Sequence, residues 1–146
     1  AGMLKENRLE QALIDHLQKF LLELGKGFSF VARQKRISTE TQDFYIDLIF
    51  YNYLLKCFVL IDLKTSKLTH QDIGQMDMYV RLVNSKIKAK RDNPAIGIIL
   101  CADKDETIVK YSVMKDNKKI FASKYKLYLP TKRELAEEIE REKLMH

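Results

Sequence analysis

Two neighbouring stretches decide the fold: DFYIDLIFYNY at residues 43–53 and LKCFVLIDLK at residues 55–64. Both are dense in aromatic and β-branched residues, which suit a pleated, half-buried surface, so each is predicted to be a strand. So little chain separates them that they are expected to pair as antiparallel neighbours at the centre of the protein. Each carries charge where burial is expected: Asp47 in the first, Asp62 and Lys64 in the second. Because side chains alternate across a strand, Phe58, Leu60, Asp62 and Lys64 share one face. A hairpin then brings Asp47 opposite or diagonal to Asp62, so two acids and one ammonium converge.

Outward from this pair, apolar residues at Leu9, Leu13, Ile14, Leu17, Phe20, Leu21 and Leu24 follow the 3.6-residue period of an amphipathic helix over 4–24, ended by Gly25 and Gly27. FSFVARQKRI reads as a strand and STETQ as a turn. A second helix is predicted from Thr69, whose spacing to Asp72 is that of a capping box, to about Lys90, where DNP stops it. AIGIILCA reads as a buried strand. Residues 105–114 are predicted to form a short helix, 115–119 a turn, and IFASKYKLYLP a strand. Thr131 and Glu134 then open a last charged helix in capping-box spacing. The order α-β-β-β-α-β-(α)-β-α argues for an α/β fold, a mixed sheet flanked by helices.

A chain of 146 residues suits one domain with one core. Residues 1–3 read as a cloning scar and 4–146 as the single domain. No run approaches the ~20 continuous apolar residues of a membrane helix and no signal peptide is evident, so a cytoplasmic location without membrane association is expected. Cys57 and Cys101 sit in apolar runs as core residues, not as a disulfide or zinc framework. The net charge is +6, and residues 81–91 hold five basic groups and no acid. Lys86, Lys88, Lys90 and Arg91 are therefore candidates for a nucleic-acid contact, although a solvated basic surface is an equal reading.

Burying two carboxylates costs several kcal/mol unless a cation compensates. Lys64 can serve one of them but not easily both. Paired carboxylates are hard ligands of the kind Mg²⁺ takes while keeping waters and borrowing phosphate oxygens from its substrate. The implied chemistry is metal-assisted phosphodiester hydrolysis, with the ammonium orienting the attacking water or offsetting developing charge. Glu10, on the apolar stripe of the first helix, reads equally as a third metal-shell acid or as a first-turn acid favoured by the helix dipole. Gln75 reads as a ligand of the metal water or a phosphate, or as a surface amide, and the preceding Gly74 suggests a close backbone approach. Tyr79, one turn later, is core or ligand wall. Tyr51 or Tyr53 is a candidate for stacking on a base. His16 and His70 have no second ligand at metal spacing and are expected on helix surfaces.

With these residues placed, the chain resembles the PD-(D/E)XK nuclease superfamily. FLLELGKGFSFVARQ, DFYIDLIFY, IDLK, GQMDMY and NPAIGIILC look like the C-terminal nuclease-like domain of the bacterial YhcG-type family, over about Leu9 to Glu140. That resemblance implies a restriction-endonuclease-like core and a divalent-metal site using Mg²⁺ or Mn²⁺. By motif, Asp47 is the first acid, Asp62 the second and Lys64 the lysine. Gln75 is the polar helix position, Glu10 the acid of the leading helix, and the backbone carbonyl of Leu63 a metal ligand. Ile46 stands where the motif usually has proline, a tolerable departure because that proline has no catalytic function. The resemblance implies a further N-terminal region in family members, in which substrate choice is expected to be encoded.

Three functions compete. The first is a DNA nuclease. The second is a catalytically weak or silent module of the same fold, binding nucleic acid or a protein. The third is a homodimerising domain that pairs through the stripe Leu135, Ile139 and Leu144 of the last helix.

Overall fold

The computed structural model describes residues 2–113 and 127–145. Helix α1 (Gly2–Leu24) leads into strands β1 (Phe28–Ser38), β2 (Asp43–Asn52) and β3 (Cys57–Lys64). Helix α2 (His70–Lys86), strands β4 (Ile96–Ala102) and β5 (Thr107–Ser112), and helix α3 (Lys132–Met145) follow. The five strands form one sheet in the order β1-β2-β3-β4-β5. Only the β3–β4 pair is parallel, with α2 as the crossover. This is the mixed sheet flanked by helices that the element pattern implies.

The core divides between two helical layers, and β2 breaks its alternation at Asp47, because Ile46 and Leu48 pack on opposite faces of the sheet. On one face, Leu48, Phe50, Val59, Ile61, Ile98 and Leu100 pack with Leu13, Ile14, Leu17 and Leu21 of α1 and with Leu135 and Ile139 of α3. On the other, Ile46, Ile49, Leu60 and Ile99 pack with Met76, Tyr79, Val80 and Val83 of α2. Strand β4 is buried along its whole length, as expected for a strand covered on both faces. Its Gly97 lets α2 approach, since a Cβ there would stand 2.6 Å from the Met76 side chain.

Local signals at the helix ends hold. Thr69 and Asp72 form a complete capping box on α2, and Thr131 and Glu134 exchange the corresponding bonds before α3. Gly27, at φ +83°, takes the left-handed turn after α1. Helix α2 ends earlier than its period suggests, at Lys86.

Residues 107–112 are strand, not the helix predicted over 105–114. The N-cap-like Asp105 is a local signal, whereas Thr107, Ile108 and Val109 gain a full antiparallel ladder on β4, from Ala102↔Thr107 to Gly97↔Ser112. Gly74 also corrects its expectation: no heavy atom lies within 4 Å of a Cβ placed there, so the close approach belongs to Gly97. The predicted turn at 115–119 and most of the strand-like run 120–130 lie outside the described residues. The tail of that run, 127–130, is turn and irregular chain.

Candidate active site

The β2–β3 ladder stops at Leu48↔Ile61. One step further, side chains replace the missing rungs. The backbone N–H of Asp47 donates to Oδ1 of Asp62 at 3.0 Å, and the N–H of Leu63 donates to Oδ2 of Asp47 at 2.8 Å. The strands diverge here, and each carboxylate satisfies a backbone donor that the parting of the strands leaves without a carbonyl partner. Asp47 and Asp62 therefore meet as the hairpin geometry requires.

Asp47 has a further partner from β1. Gln34, held at φ +54°, donates its side-chain amide to Oδ1 of Asp47 at 3.0 Å. A left-handed glutamine inside a strand is uncommon, and here it accompanies a hydrogen bond to a site acid. The sequence shows nothing special at this position, because no turn residue marks it.

Beside the acids lies a cavity of about 300 Å³ lined by Glu10, Asp62, Leu63, Lys64, Thr65, Ser66, Asp72, Gln75 and Ile99. Glu10 comes from α1 on one face of the sheet and Gln75 from α2 on the other, so the cavity opens at the sheet end between the two helices. Asp47 does not line the cavity and meets Asp62 through its backbone N–H. The structure thus brings Glu10, Asp62, Lys64 and Gln75 together and sets Asp47 against Asp62.

The electrostatics follow from this crowding. Burial, then the charge of Asp47, pushes Asp62 up to about 7. Burial also holds Asp47 above the usual carboxylate range, although the Leu63 N–H, the Gln34 amide and the Arg33 charge pull it down. Glu10 is raised by burial and then by Asp47. Tyr79, buried in the core beside the site, is raised by burial and then by Asp62 and Asp47. Its hydroxyl reaches the carbonyl of Tyr45 at 3.5 Å, so it is both core and site wall.

Lys64 compensates neither aspartate. Its Nζ pairs with Oδ1 of Asp72 at 2.8 Å, while Oδ2 of Asp72 accepts from the backbone and hydroxyl of Thr69, both at 2.8 Å. One carboxylate thus caps α2 and anchors the site lysine. In the sequence Asp72 shows only as a cap, because its second bond depends on how α2 docks.

Asp47, Asp62 and Glu10 are all raised above the ordinary carboxylate range, and among the described residues none of them has a lysine ion pair. Asp62 retains an oxygen, Oδ2, without a hydrogen bond from the described residues. Among the described residues no group of three or more His, Cys, Asp or Glu side chains is placed to hold a metal ion. A donor set of two carboxylates, completed by water and substrate oxygens, matches the demands of Mg²⁺ or Mn²⁺. The residues present fit such an ion.

The other candidates lie elsewhere. Lys86 ends α2, and Lys88, Lys90 and Arg91 follow it in a loop tied to the β2–β3 turn, where the N–H of Asn93 donates to the carbonyl of Lys56 at 2.8 Å. At 1.5 Å per residue, Lys86 is about 20 Å along α2 from Asp72. The basic cluster is therefore at the far end of the sheet. Tyr51 donates to Asp92 at 2.7 Å and packs edge-on to Phe58, and Tyr53 is exposed at that same end. His16 is not simply a surface residue: its ring lies between Glu138 at 2.8 Å and Glu142 at 3.3 Å of α3. His70 is the exposed first residue of α2. Cys57 and Cys101 are buried and free. Among the described residues no helix is long and apolar enough to cross a membrane.

A family profile described as YhcG PDDEXK nuclease domain matches residues 1–140. The putative nuclease YhcG of Escherichia coli (strain K12) is 39% identical over 136 residues, which are 93% of this chain and 36% of that protein. A repair endonuclease from Pyrococcus abyssi is similar over 80% of this chain and 42% of that chain, at 19% identity and a TM-score of 0.46.

Proposed function

Since the chain belongs to the YhcG PDDEXK nuclease domain family, we propose that it is a divalent-metal-dependent nuclease that hydrolyses phosphodiester bonds in DNA. The observation carrying this reading is the divergence of β2 and β3 at Asp47 and Asp62, where two carboxylates with raised proton affinity share one strand end. Asp47 and Asp62 would hold the ion, with the carbonyl of Leu63 and, through water, Glu10 completing its surroundings. A Mg²⁺ or Mn²⁺ ion there supplies charge to polarise the phosphoryl group and to acidify a water.

The chain's own residues then have distinct tasks. Lys64, held by Asp72, presents an ammonium at the cavity that orients the attacking water and offsets negative charge developing on the phosphoryl oxygens. The Gln75 amide hydrogen-bonds a phosphate oxygen or the ordered water. Gln34 fixes the Asp47 carboxylate from the outer strand. Lys86, Lys88, Lys90 and Arg91 act as phosphate contacts remote from the cut; a separation of about 20 Å corresponds to roughly six base pairs at 3.4 Å each.

The chain spans 36% of the E. coli relative, so substrate choice and the activity of a whole protein of that kind are part of the proposal. The test is cleavage of plasmid, linear, branched and single-stranded substrates with Mg²⁺, Mn²⁺ or EDTA, using wild type and Asp62→Ala. Metal-dependent cutting that vanishes in the variant is expected. Equal cutting by both overturns the reading. Salt-sensitive binding in EDTA with no cutting in any metal supports a silent binding module instead.

A further inference from the structure

Among the described residues strand β1 is an edge of the sheet, and its residues 33–36 read Arg-Gln-Lys-Arg. Gln34 binds Asp47 directly. Arg33 is occupied by Asp15 and Gln11 of α1. Lys35 and Arg36 are exposed, and among the described residues neither has an ion-pair partner. Their register places them beside the site: Lys35 faces Ile46 and Arg36 faces Tyr45, one and two residues before Asp47. From strand geometry the Cα of Lys35 is about 6 Å from that of Asp47 and the Cα of Arg36 about 8 Å. As neighbours in a strand they point to opposite faces, so they flank the sheet edge from its two sides, each within a long side chain's length of Asp47. The basic loop after α2 is about 20 Å away.

We propose that Lys35 and Arg36 form the phosphate-binding edge of the site, receiving the backbone of a nucleic-acid strand as it passes Asp47. This inference rests on the nuclease reading and adds the surface that positions the strand. The charge arrangement suits the task. A phosphodiester arriving at two carboxylates meets repulsion, and two unpaired cations next to them offset it while leaving the carboxylates available for a metal ion. The acids on the same hairpin, Glu40 and Asp43, lie further toward its tip, where Asp43 accepts from the Ser38 hydroxyl at 2.7 Å. Positive charge on this strand thus flanks Asp47, with Arg33 committed to α1 and Lys35 and Arg36 left exposed. Gln34 couples the tract to the site, because its amide and the backbone carrying Lys35 move with Asp47. Tyr45, opposite Arg36 and 54% exposed, leaves this part of the sheet open to a ligand.

A competing use for charges on an edge strand is to keep sheet edges of separate chains from pairing. Fluorescence anisotropy with a labelled duplex DNA oligonucleotide in EDTA separates the two, comparing wild type, Lys35→Ala/Arg36→Ala and Lys88→Ala/Lys90→Ala over a salt series. The first double variant is expected to bind roughly tenfold more weakly at low salt, with a salt slope smaller by about two. It should remain monodisperse by light scattering. Wild-type affinity and slope in that variant, whether or not its mass rises, overturn the inference and leave the nuclease reading standing. A wild type that shows no salt-sensitive binding overturns both. The Lys88/Lys90 variant gives the scale of an equal charge loss elsewhere, and an equal or larger loss there overturns the assignment of the edge as the principal contact.

Discussion

Replacing Asp62 by asparagine should make the protein more stable, and only above a particular pH. Asp62 ionises at about 7 in the fold, against 3.8 for a free aspartate, chiefly because it is buried and secondarily because Asp47 is beside it. The folded state therefore holds a proton that the unfolded chain releases. Stability falls as pH rises from about 4 to about 7 and levels off above that. At 1.36 kcal/mol per tenfold, the full shift corresponds to roughly 4 kcal/mol, reduced to roughly 2–4 kcal/mol because the carboxylate retains some solvent contact. The amide oxygen of asparagine can still accept the Asp47 N–H, so the backbone bond survives the change. At pH 8 the variant should melt roughly 5–15 °C above wild type, and at pH 4 the two should nearly coincide. Saturating Mg²⁺ should close part of the gap by stabilising wild type alone; a hundredfold excess over Kd is worth about 2.7 kcal/mol. Urea denaturation at pH 4, 6 and 8, with and without Mg²⁺, measures this. A variant less stable than wild type at pH 8, or a difference independent of pH, would refute the claim that Asp62 is a strained, uncompensated acid.

Other perturbations test the remaining parts. Asp72→Ala removes both the α2 cap and the anchor of Lys64; a loss of about 1–2 kcal/mol is expected in denaturation, with cleavage reduced by more than Thr69→Ala reduces it. Gln34→Gly relieves a left-handed backbone while deleting the bond to Asp47, so stability should change by less than about 1 kcal/mol while metal-dependent cleavage falls. Gly97→Ala drives a methyl into Met76 and should cost about 1–3 kcal/mol, partly recovered by Met76→Ala in the same chain. Leu135→Ala should cost about 2–5 kcal/mol because the side chain is fully buried, whereas Leu144→Ala, at 86% exposure, should be neutral.

That last contrast shows where sequence reading ends. Leu135, Ile139 and Leu144 form one stripe on paper, but the first two close the core over α1, and Leu144 is left outside. They offer no continuous face to a second copy. The paired aspartates were legible because alternation and a short turn are local rules that bring Asp47 to Asp62. The capping boxes were legible for the same reason. Strand β5 was not, since its pairing with β4 is decided by distant chain. Nor was the partner of Lys64, because Asp72 is recruited by the docking of α2 onto the sheet. The basic run 86–91 is close in sequence to Gln75, yet the helix sets its first lysine about 16 Å along the axis from that residue. Gln34 carries no compositional mark, and only its backbone angle and its bond to Asp47 single it out.

The central claim is that Asp47 and Asp62 hold one divalent ion between them. Crystals grown with Mn²⁺ and measured for anomalous scattering test it without reference to activity. A single strong peak within about 2–2.5 Å of an oxygen from each carboxylate is the expected result. A peak bound by one aspartate alone, or by other residues while these two remain hydrogen-bonded as described, would contradict it.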